Sequence, residues 1–147
     1  MKRLVMFMVG AFLILQSASA QLRKIPSEVT EAFKQKYSNA SNVEWKDRLT
    51  SYVAVFQSDG KTHSAYFDDD GTWKHTETVI DQSELPAAVN DGFRKSKYTE
   101  WNVDRVERID MAGGEVRYRV QVKKGDVRKK NLVFNSEGQM MKDKITV

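Results

Sequence analysis

The densest group of potential metal ligands is the stretch Phe-Asp-Asp-Asp-Gly-Thr-Trp at residues 67–73. A calcium loop of the EF-hand type needs oxygen ligands at positions 1, 3 and 5, glycine at position 6 and glutamate at position 12. If Gly71 takes position 6, Glu77 falls at position 12, but position 1 is Tyr66, which cannot serve as a ligand. The spacing therefore disfavours an EF-hand loop and leaves two interpretations, a weak cation site and a hairpin turn.

The two histidines, His63 and His75, are the other candidate metal ligands. They fall on neighbouring predicted strands, with Asp69 and Asp70 at the turn between them, so a loose cluster is geometrically possible. Zinc sites take at least three protein ligands, which makes two surface histidines the simpler interpretation. A metal-dependent hydrolase that uses this pair is the corresponding enzyme hypothesis.

The remaining signatures of catalysis are not found in the sequence. It contains no nucleophile elbow, no glycine-rich phosphate loop and no carboxylate pair within apolar sequence. It also contains no cysteine, which excludes disulfides, thiolate metal sites and cysteine nucleophiles. We therefore predict a protein that is not an enzyme and uses no cofactor.

The first 20 residues have the composition of a secretory signal peptide. Residues 2–3 are basic, residues 4–15 form an apolar segment too short to span a bilayer comfortably, and residues 18–20 form an Ala-x-Ala cleavage signal. We expect cleavage after Ala20, no stable membrane insertion after cleavage, and a mature protein in the periplasm or outside the cell.

The formal net charge of +4 is concentrated in the second half of the chain. A basic surface can bind nucleic acid, but export from the cytoplasm argues against that partner. An acidic protein or an anionic glycan fits the predicted compartment better.

The chain after the signal peptide contains an internal repeat. IPSEVTEAF (25–33) matches LPAAVNDGF (85–93), and SAYFDDDGTW (64–73) matches NLVFNSEGQM (131–140). The second copy keeps the Phe and Gly of the aspartate stretch but replaces its first two acids by Asn135 and Ser136. Because Asp, Asn, Ser and Gly are all turn residues, the comparison favours a turn over a metal site.

Each copy has the pattern of a helix followed by four strands. Apolar residues recur at helical spacing after Pro26 and Pro86, and alternation with period 2 follows. The clearest example is 115–123, where Val and Tyr alternate with Arg, Gln and Lys. We predict an α+β fold of two tandem modules, residues 21–82 and 83–147, each with a helix packed on one face of its own four-stranded antiparallel sheet.

The repeated pattern [IL]-P-x-x-V-x-x-x-F, followed by F-x-x-x-G, resembles the secreted PepSY-like, β-lactamase-inhibitor-like family. The resemblance covers nearly all of the chain after residue 20. It implies tandem α-β4 modules and a sheet surface of the kind with which β-lactamase inhibitor proteins hold their enzyme.

Strand alternation separates a core face from an outer face of the predicted sheets. A bulge at a hairpin would reverse one strand's assignment, and Trp73 is the residue most sensitive to this. Packing of the first module's outer residues on the second module or on a loop is the alternative to an exposed patch. The predicted partner-binding residues on the outer face are Val53, Val55, Tyr66, Trp73, His75, Arg117, Arg119 and Met140.

These observations give two functional hypotheses. The first is a secreted or periplasmic binding protein that recognises a protein, including an extracytoplasmic enzyme that it would inhibit, through the sheet face. The alternative is a sensor of envelope glycans or small ligands that uses Trp73 for stacking and the basic strip for charge.

Overall fold

The computed structural model describes residues 24–146, with side chains described up to Met141. The predicted signal peptide, residues 1–20, lies outside the described residues. The helices are α1 (Ser27–Lys36) and α2 (Ala87–Arg94), with a 3₁₀ turn at Gln82–Glu84 before α2. The strands are β1 (Ser41–Arg48), β2 (Ser51–Ser58), β3 (Lys61–Phe67), β4 (Trp73–Ile80), β5 (Asn102–Met111), β6 (Val116–Lys124), β7 (Arg128–Asn135) and β8 (Met140–Thr146).

All eight strands form one antiparallel sheet in the order β1 to β8, so the predicted fold class of two modules with separate sheets is wrong. Strands β4 and β5 pair over their length, from His75 opposite Met111 to Ile80 opposite Val106. Two separate four-stranded sheets would each expose an additional edge, and an unpaired edge leaves backbone donors and acceptors unsatisfied. Joining β4 to β5 removes both of those edges. The predicted boundary between the two modules, between residues 82 and 83, stays a prediction.

Both helices pack on the same face of this sheet, and each covers its own core cluster. Val29 and Phe33 of α1 are buried against β2 and β3, where Phe56 and Phe67 are also buried. The equivalent residues of α2 are buried against β6 and β7. The single sheet therefore has two separate core clusters, one under each helix. Within residues 24–146, no helix has the length and apolar character needed to cross a membrane.

Close approach between a helix and a turn explains one glycine of α2. A Cβ on Gly92 would collide with the carbonyl oxygen of Gly138, in the turn between β7 and β8. Any side chain at this position would push α2 away from the sheet. Gly92 therefore allows α2 to lie directly against this turn.

Candidate functional site: the open face of the sheet

The aspartate stretch forms the turn between β3 and β4. The backbone carbonyl of Asp68 accepts a hydrogen bond from the N–H of Gly71 (3.1 Å), and the N–H of Asp68 donates one to the carbonyl of Thr72 (2.9 Å). Asp70 accepts from the N–H of Thr72 (2.8 Å), and Asp68 forms an ion pair with Lys74 (3.1 Å). The turn interpretation is confirmed, with Gly71 in the left-handed region at φ +84°.

The two histidines lie on opposite faces of the sheet. His63 pairs with Thr78 on the helix-covered face, where its Nδ1 lies 3.0 Å from the Thr78 hydroxyl and its ring stacks on Phe56. His75 pairs with Tyr66 on the other face. The fold therefore separates the proposed zinc ligands. Among the side chains described, those of residues 24–141, no group of three or more His, Asp or Glu could hold a metal ion.

The face opposite the helices, called the open face below, carries most of the predicted site residues. Cross-strand partners share a face, so the register places His75 beside Tyr66 and Met111, and Arg119 beside Glu107 and Val133. Six of the eight predicted residues lie on the open face: Val53, Val55, Tyr66, His75, Arg117 and Arg119. Their role in binding a partner stays a prediction.

Trp73 and Met140 lie on the helix-covered face, so their predicted outward placement is wrong. The register shifts by one residue between Tyr66 and Phe67, which places Trp73 opposite Phe67. The same shift at the corresponding point of the second repeat places Met140 opposite Phe134. A one-residue bulge reverses the face of the residue beyond it, and strict alternation from the rest of the strand cannot show this.

Trp73 is a structural residue of the first core cluster. Its indole Nε1 donates to the Thr76 hydroxyl (2.9 Å), which also shares a hydrogen bond with the Tyr37 hydroxyl. The Lys36 ammonium lies 3.7 Å from the centre of the indole ring, which is cation–π geometry. The indole N–H and the face of the indole ring therefore both have partners within the first repeat.

Arg119 is the centre of a charged network on the open face that joins the two repeats. Its guanidinium donates to Glu77 of β4 and to Glu107 of β5, both at 2.7 Å. Glu107 also accepts from Arg105 Nε (2.7 Å), and Glu77 accepts from the Tyr66 hydroxyl (3.2 Å). Glu107 is only 7% exposed, and such buried carboxylates need partners of this kind. We call this set the Arg119 network.

The Arg119 network shifts the ionisation of its members. Burial raises the pKa of Glu77, but hydrogen bonds from His75 and Arg119 outweigh it and lower that pKa to about 2. Burial and the negative charge of Glu77 raise the pKa of Tyr66 to about 12. Burial lowers the pKa of Arg119, but its two carboxylate partners raise it above its usual range. Glu77 is therefore a poor proton acceptor at neutral pH, which argues against a role as a general base.

Beside the network lies a groove with both apolar and polar residues, which no described helix covers. It has a volume of about 300 Å³, and Ile109, Met111 and Val133 supply its apolar surface. His75 and Arg117 stand at its edge, and the His75 ring stacks on Tyr66 with centroids 4.2 Å apart. Tyr66 and His75 are half-buried, so this pair is a pre-ordered aromatic surface beside an apolar depression.

Sequence reasoning missed the residues that connect the two halves of this site. These residues lie on β4, β5 and β7 and meet only because β4 pairs with β5. They are Glu77, Glu107, Ile109, Met111 and Val133. The signal that could have found the last four is the period-2 pattern of β5 and β7, which places them on the same face as Arg119.

A comparison with protein families agrees with the motifs found in the sequence. The family model described as "Putative beta-lactamase-inhibitor-like, PepSY-like" matches residues 50–142. This is more than half of the chain, and the protein belongs to that family. The resemblance stated from the sequence motifs is confirmed.

Solved structures of similar chains have the same fold. A "BLIP-like protein" from Bacteroides fragilis NCTC 9343 is 28% identical with a TM-score of 0.75, and the alignment covers 86% of this chain and 90% of that one. A structure described as "putative periplasmic proteins" from Bacteroides eggerthii DSM 20697 is 25% identical with a TM-score of 0.78, covering 83% and 89%. No curated protein matches the chain.

Proposed function

We propose that this protein is a non-enzymatic, extracytoplasmic binding protein that recognises a protein partner through the open face and inhibits that partner where it is an enzyme. The observation that carries the proposal is the groove of Ile109, Met111 and Val133, which lies beside the ordered Tyr66–His75 pair on the sheet face that neither described helix covers. Interface hot spots have this composition, with an apolar pocket flanked by Tyr and Arg.

The family and the related structures support this proposal. The family description is inhibitor-like, and one similar structure is named BLIP-like. The B. eggerthii relative is described as periplasmic, which supports the compartment expected from the signal-peptide pattern.

The dimensions of the open face suit a protein better than a small ligand. Eight strands of seven to ten residues, about 4.8 Å apart and about 25 Å long, present roughly 900 Å². Each partner of a standard protein interface buries roughly 800 Å². The groove would take one apolar side chain of the partner.

The glycan alternative loses its main basis in the structure. It depended on stacking of a sugar against Trp73 on the same face as the basic strip. Trp73 instead lies on the helix-covered face, under the ammonium of Lys36. We therefore favour the protein partner.

Site-specific photocrosslinking tests the proposed face. A photoreactive amino acid replaces Asn131 at the groove, and a matched variant carries it at Gln35, which is exposed on α1. Both are illuminated in native envelope extract and in culture supernatant. The proposal predicts a discrete crosslinked protein from position 131 and none from position 35. Crosslinks from position 35 alone, or from neither position, would contradict it.

A further inference from the structure

The turn between β6 and β7 is strongly basic and carries an exposed apolar side chain. Residues 123–130, called the basic hairpin below, read KKGDVRKK and contain five basic residues and one acidic residue. Val127 lies in the turn and is 91% exposed. Among the large hydrophobic side chains described in residues 24–141, only that of Leu49 is more exposed. A single exposed apolar residue is ordinary, so the charges around Val127 must be considered with it.

The first repeat shows that the fold does not require a basic turn at this point. Strands β2 and β3 correspond to β6 and β7, because Phe67 and Phe134 occupy equivalent buried positions in the two repeats. The turn of the first pair, Asp59–Gly60, adjoins one basic residue, Lys61, which pairs with the carboxylate of Glu84. The excess of positive charge in the second repeat is therefore an addition to the common fold.

The cations of the basic hairpin face one another across the two strands. Lys123 and Lys129 are direct partners, and the carboxylate of Asp104 bridges them at 2.9 and 3.3 Å. Lys124 and Arg128 are also direct partners and both are exposed, but neither forms an ion pair with a side chain described in residues 24–141. Like charges directly opposite each other destabilise strand pairing. This pair therefore lowers stability unless an anion outside the chain binds it.

We propose that the basic hairpin docks the protein on an anionic phospholipid surface. Lys124 and Arg128 lie at the lipid phosphates, and Val127 lies at the boundary between the headgroups and the acyl chains. Cations near an anionic membrane are attracted to it, and an apolar side chain beside them adds buried area. The contact is peripheral and needs no membrane-spanning segment.

Two observations favour a membrane over a nucleic acid as the anionic surface. The phosphate backbone of a nucleic acid would bind the same cations, but it gives Val127 no apolar environment. A bilayer provides phosphates and an apolar region next to each other. The extracytoplasmic compartment proposed above is also bounded by phospholipid membranes.

The basic hairpin is separate from the open-face groove. It lies at the end of β6 and β7, and none of residues 123–130 lines that groove. Lipid binding and partner binding can therefore succeed or fail independently.

Sedimentation with vesicles tests the charge component. The protein used starts at Gln21, because the apolar segment at residues 4–15 would itself bind lipid. Residues 24–146 contain every described helix and strand, so this form keeps the described fold. The vesicles contain phosphatidylcholine alone or with about 30% phosphatidylglycerol, in about 0.1 M salt so that distant charges are screened. We expect binding to the anionic vesicles only, and no binding to them would overturn the proposal.

A matched pair of variants locates the charge that binds lipid. Lys124→Gln with Arg128→Gln removes the two facing cations of the basic hairpin. The control, Lys34→Gln with Lys46→Gln, removes two exposed cations of the first repeat. Each cation near an anionic membrane contributes about fivefold to the partition coefficient, so the first variant should bind at least about tenfold more weakly. The control should bind within about twofold of the original protein, with both variants folded by circular dichroism. Equal losses in the two variants would refute docking through the hairpin.

Fluorescence quenching tests the position of Val127. Val127→Trp places an indole in the turn, and bromine on the lipid acyl chains should quench it, since Trp favours the membrane interface. Leu49→Trp is the matched control, because Leu49 is 97% exposed and lies beside Asp68 to Asp70. Quenching is measured relative to the original protein, which has three tryptophans. We expect additional quenching for Val127→Trp alone. Additional quenching in neither variant, or equally in both, would contradict the proposed orientation.

Val127→Ser distinguishes a membrane site from a site for anionic polymers. This variant keeps every charge of the basic hairpin and removes its apolar side chain. Binding to anionic vesicles should weaken about threefold or more, whereas binding to a DNA duplex should not change. Unchanged binding to the vesicles would identify the hairpin as a general polyanion site and overturn the proposal.

Discussion

Gly71 in the turn between β3 and β4 lies directly against the backbone carbonyl of Glu28, in the first turn of α1. A Cβ on Gly71 would come within 2.6 Å of that oxygen. The second repeat has the same contact, since a Cβ on Gly138 would collide with the carbonyl of Ala88. The glycine of the acidic stretch is therefore needed for packing of a helix against the turn, in both copies.

Replacing Gly71 by Ala should destabilise the protein more than replacing Gly60. Both glycines have positive φ, which adds about 1–2 kcal/mol for a residue with a Cβ. A Cβ on Gly60 meets nothing within 4 Å, whereas at Gly71 it also displaces α1 at a further cost of about 1–3 kcal/mol. Urea unfolding of both variants measures the difference. Equal losses of stability would show that the Gly71–Glu28 contact is unimportant.

The stability of the protein should fall in acid because of Glu77. Its folded-state pKa of about 2 lies below its ordinary value of 4.5, so its contribution is fully present above pH 4.5 and is lost as the pH falls toward 2. The side chain is only 11% exposed, and the shift corresponds to about 3 kcal/mol. Denaturant unfolding at several pH values between 2 and 7 measures this loss.

The Glu77→Gln variant is the control for that prediction, because other carboxylates also titrate in this range. The variant should be less stable than the original protein at pH 7, since Arg119 loses a charged partner. Its stability should then decrease less between pH 4.5 and 2. A decrease as large as that of the original protein would rule out Glu77 as the cause.

Thr76→Val should destabilise the first repeat although the two side chains have nearly the same shape. Thr76 is 5% exposed, and its hydroxyl bonds both the Trp73 indole and the Tyr37 hydroxyl. Valine leaves these groups without their partner, which costs about 1–3 kcal/mol. In a Trp73→Phe background one of the two bonds is already absent, so the loss measured by chemical unfolding should be smaller. A loss of equal size in both backgrounds would place Trp73 outside this cluster.

Local sequence patterns predict the helices and strands well, because those elements depend on short-range periodicity. The alternating stretch at 115–123 is observed as β6, Val116–Lys124, and the repeat of Pro26 at Pro86 marks the start of each helix. The pairing of β4 with β5 is different. Nothing in the alternation of either strand indicates whether its edge meets solvent or another strand, so the single sheet could not be predicted.

The site was predicted in part for the same reason. Period-2 alternation places Tyr66, His75 and Arg119 on the open face, as the register confirms. It fails at Trp73, where one bulged residue reverses the assignment. It also cannot show that Arg119 reaches Glu77, 42 residues earlier, because that contact exists only across the β4–β5 junction.

The most direct test uses the partner that is crosslinked from position 131. Once this partner is purified, its dissociation constant is measured for the unmodified protein and for two variants. Val133→Arg places a charge in the open-face groove, and Gln35→Arg makes the same charge change on α1. Thermal unfolding should confirm that both variants are folded. The account predicts at least about tenfold weaker binding for Val133→Arg and unchanged binding for Gln35→Arg. Equal dissociation constants for the two variants would contradict binding through the open face.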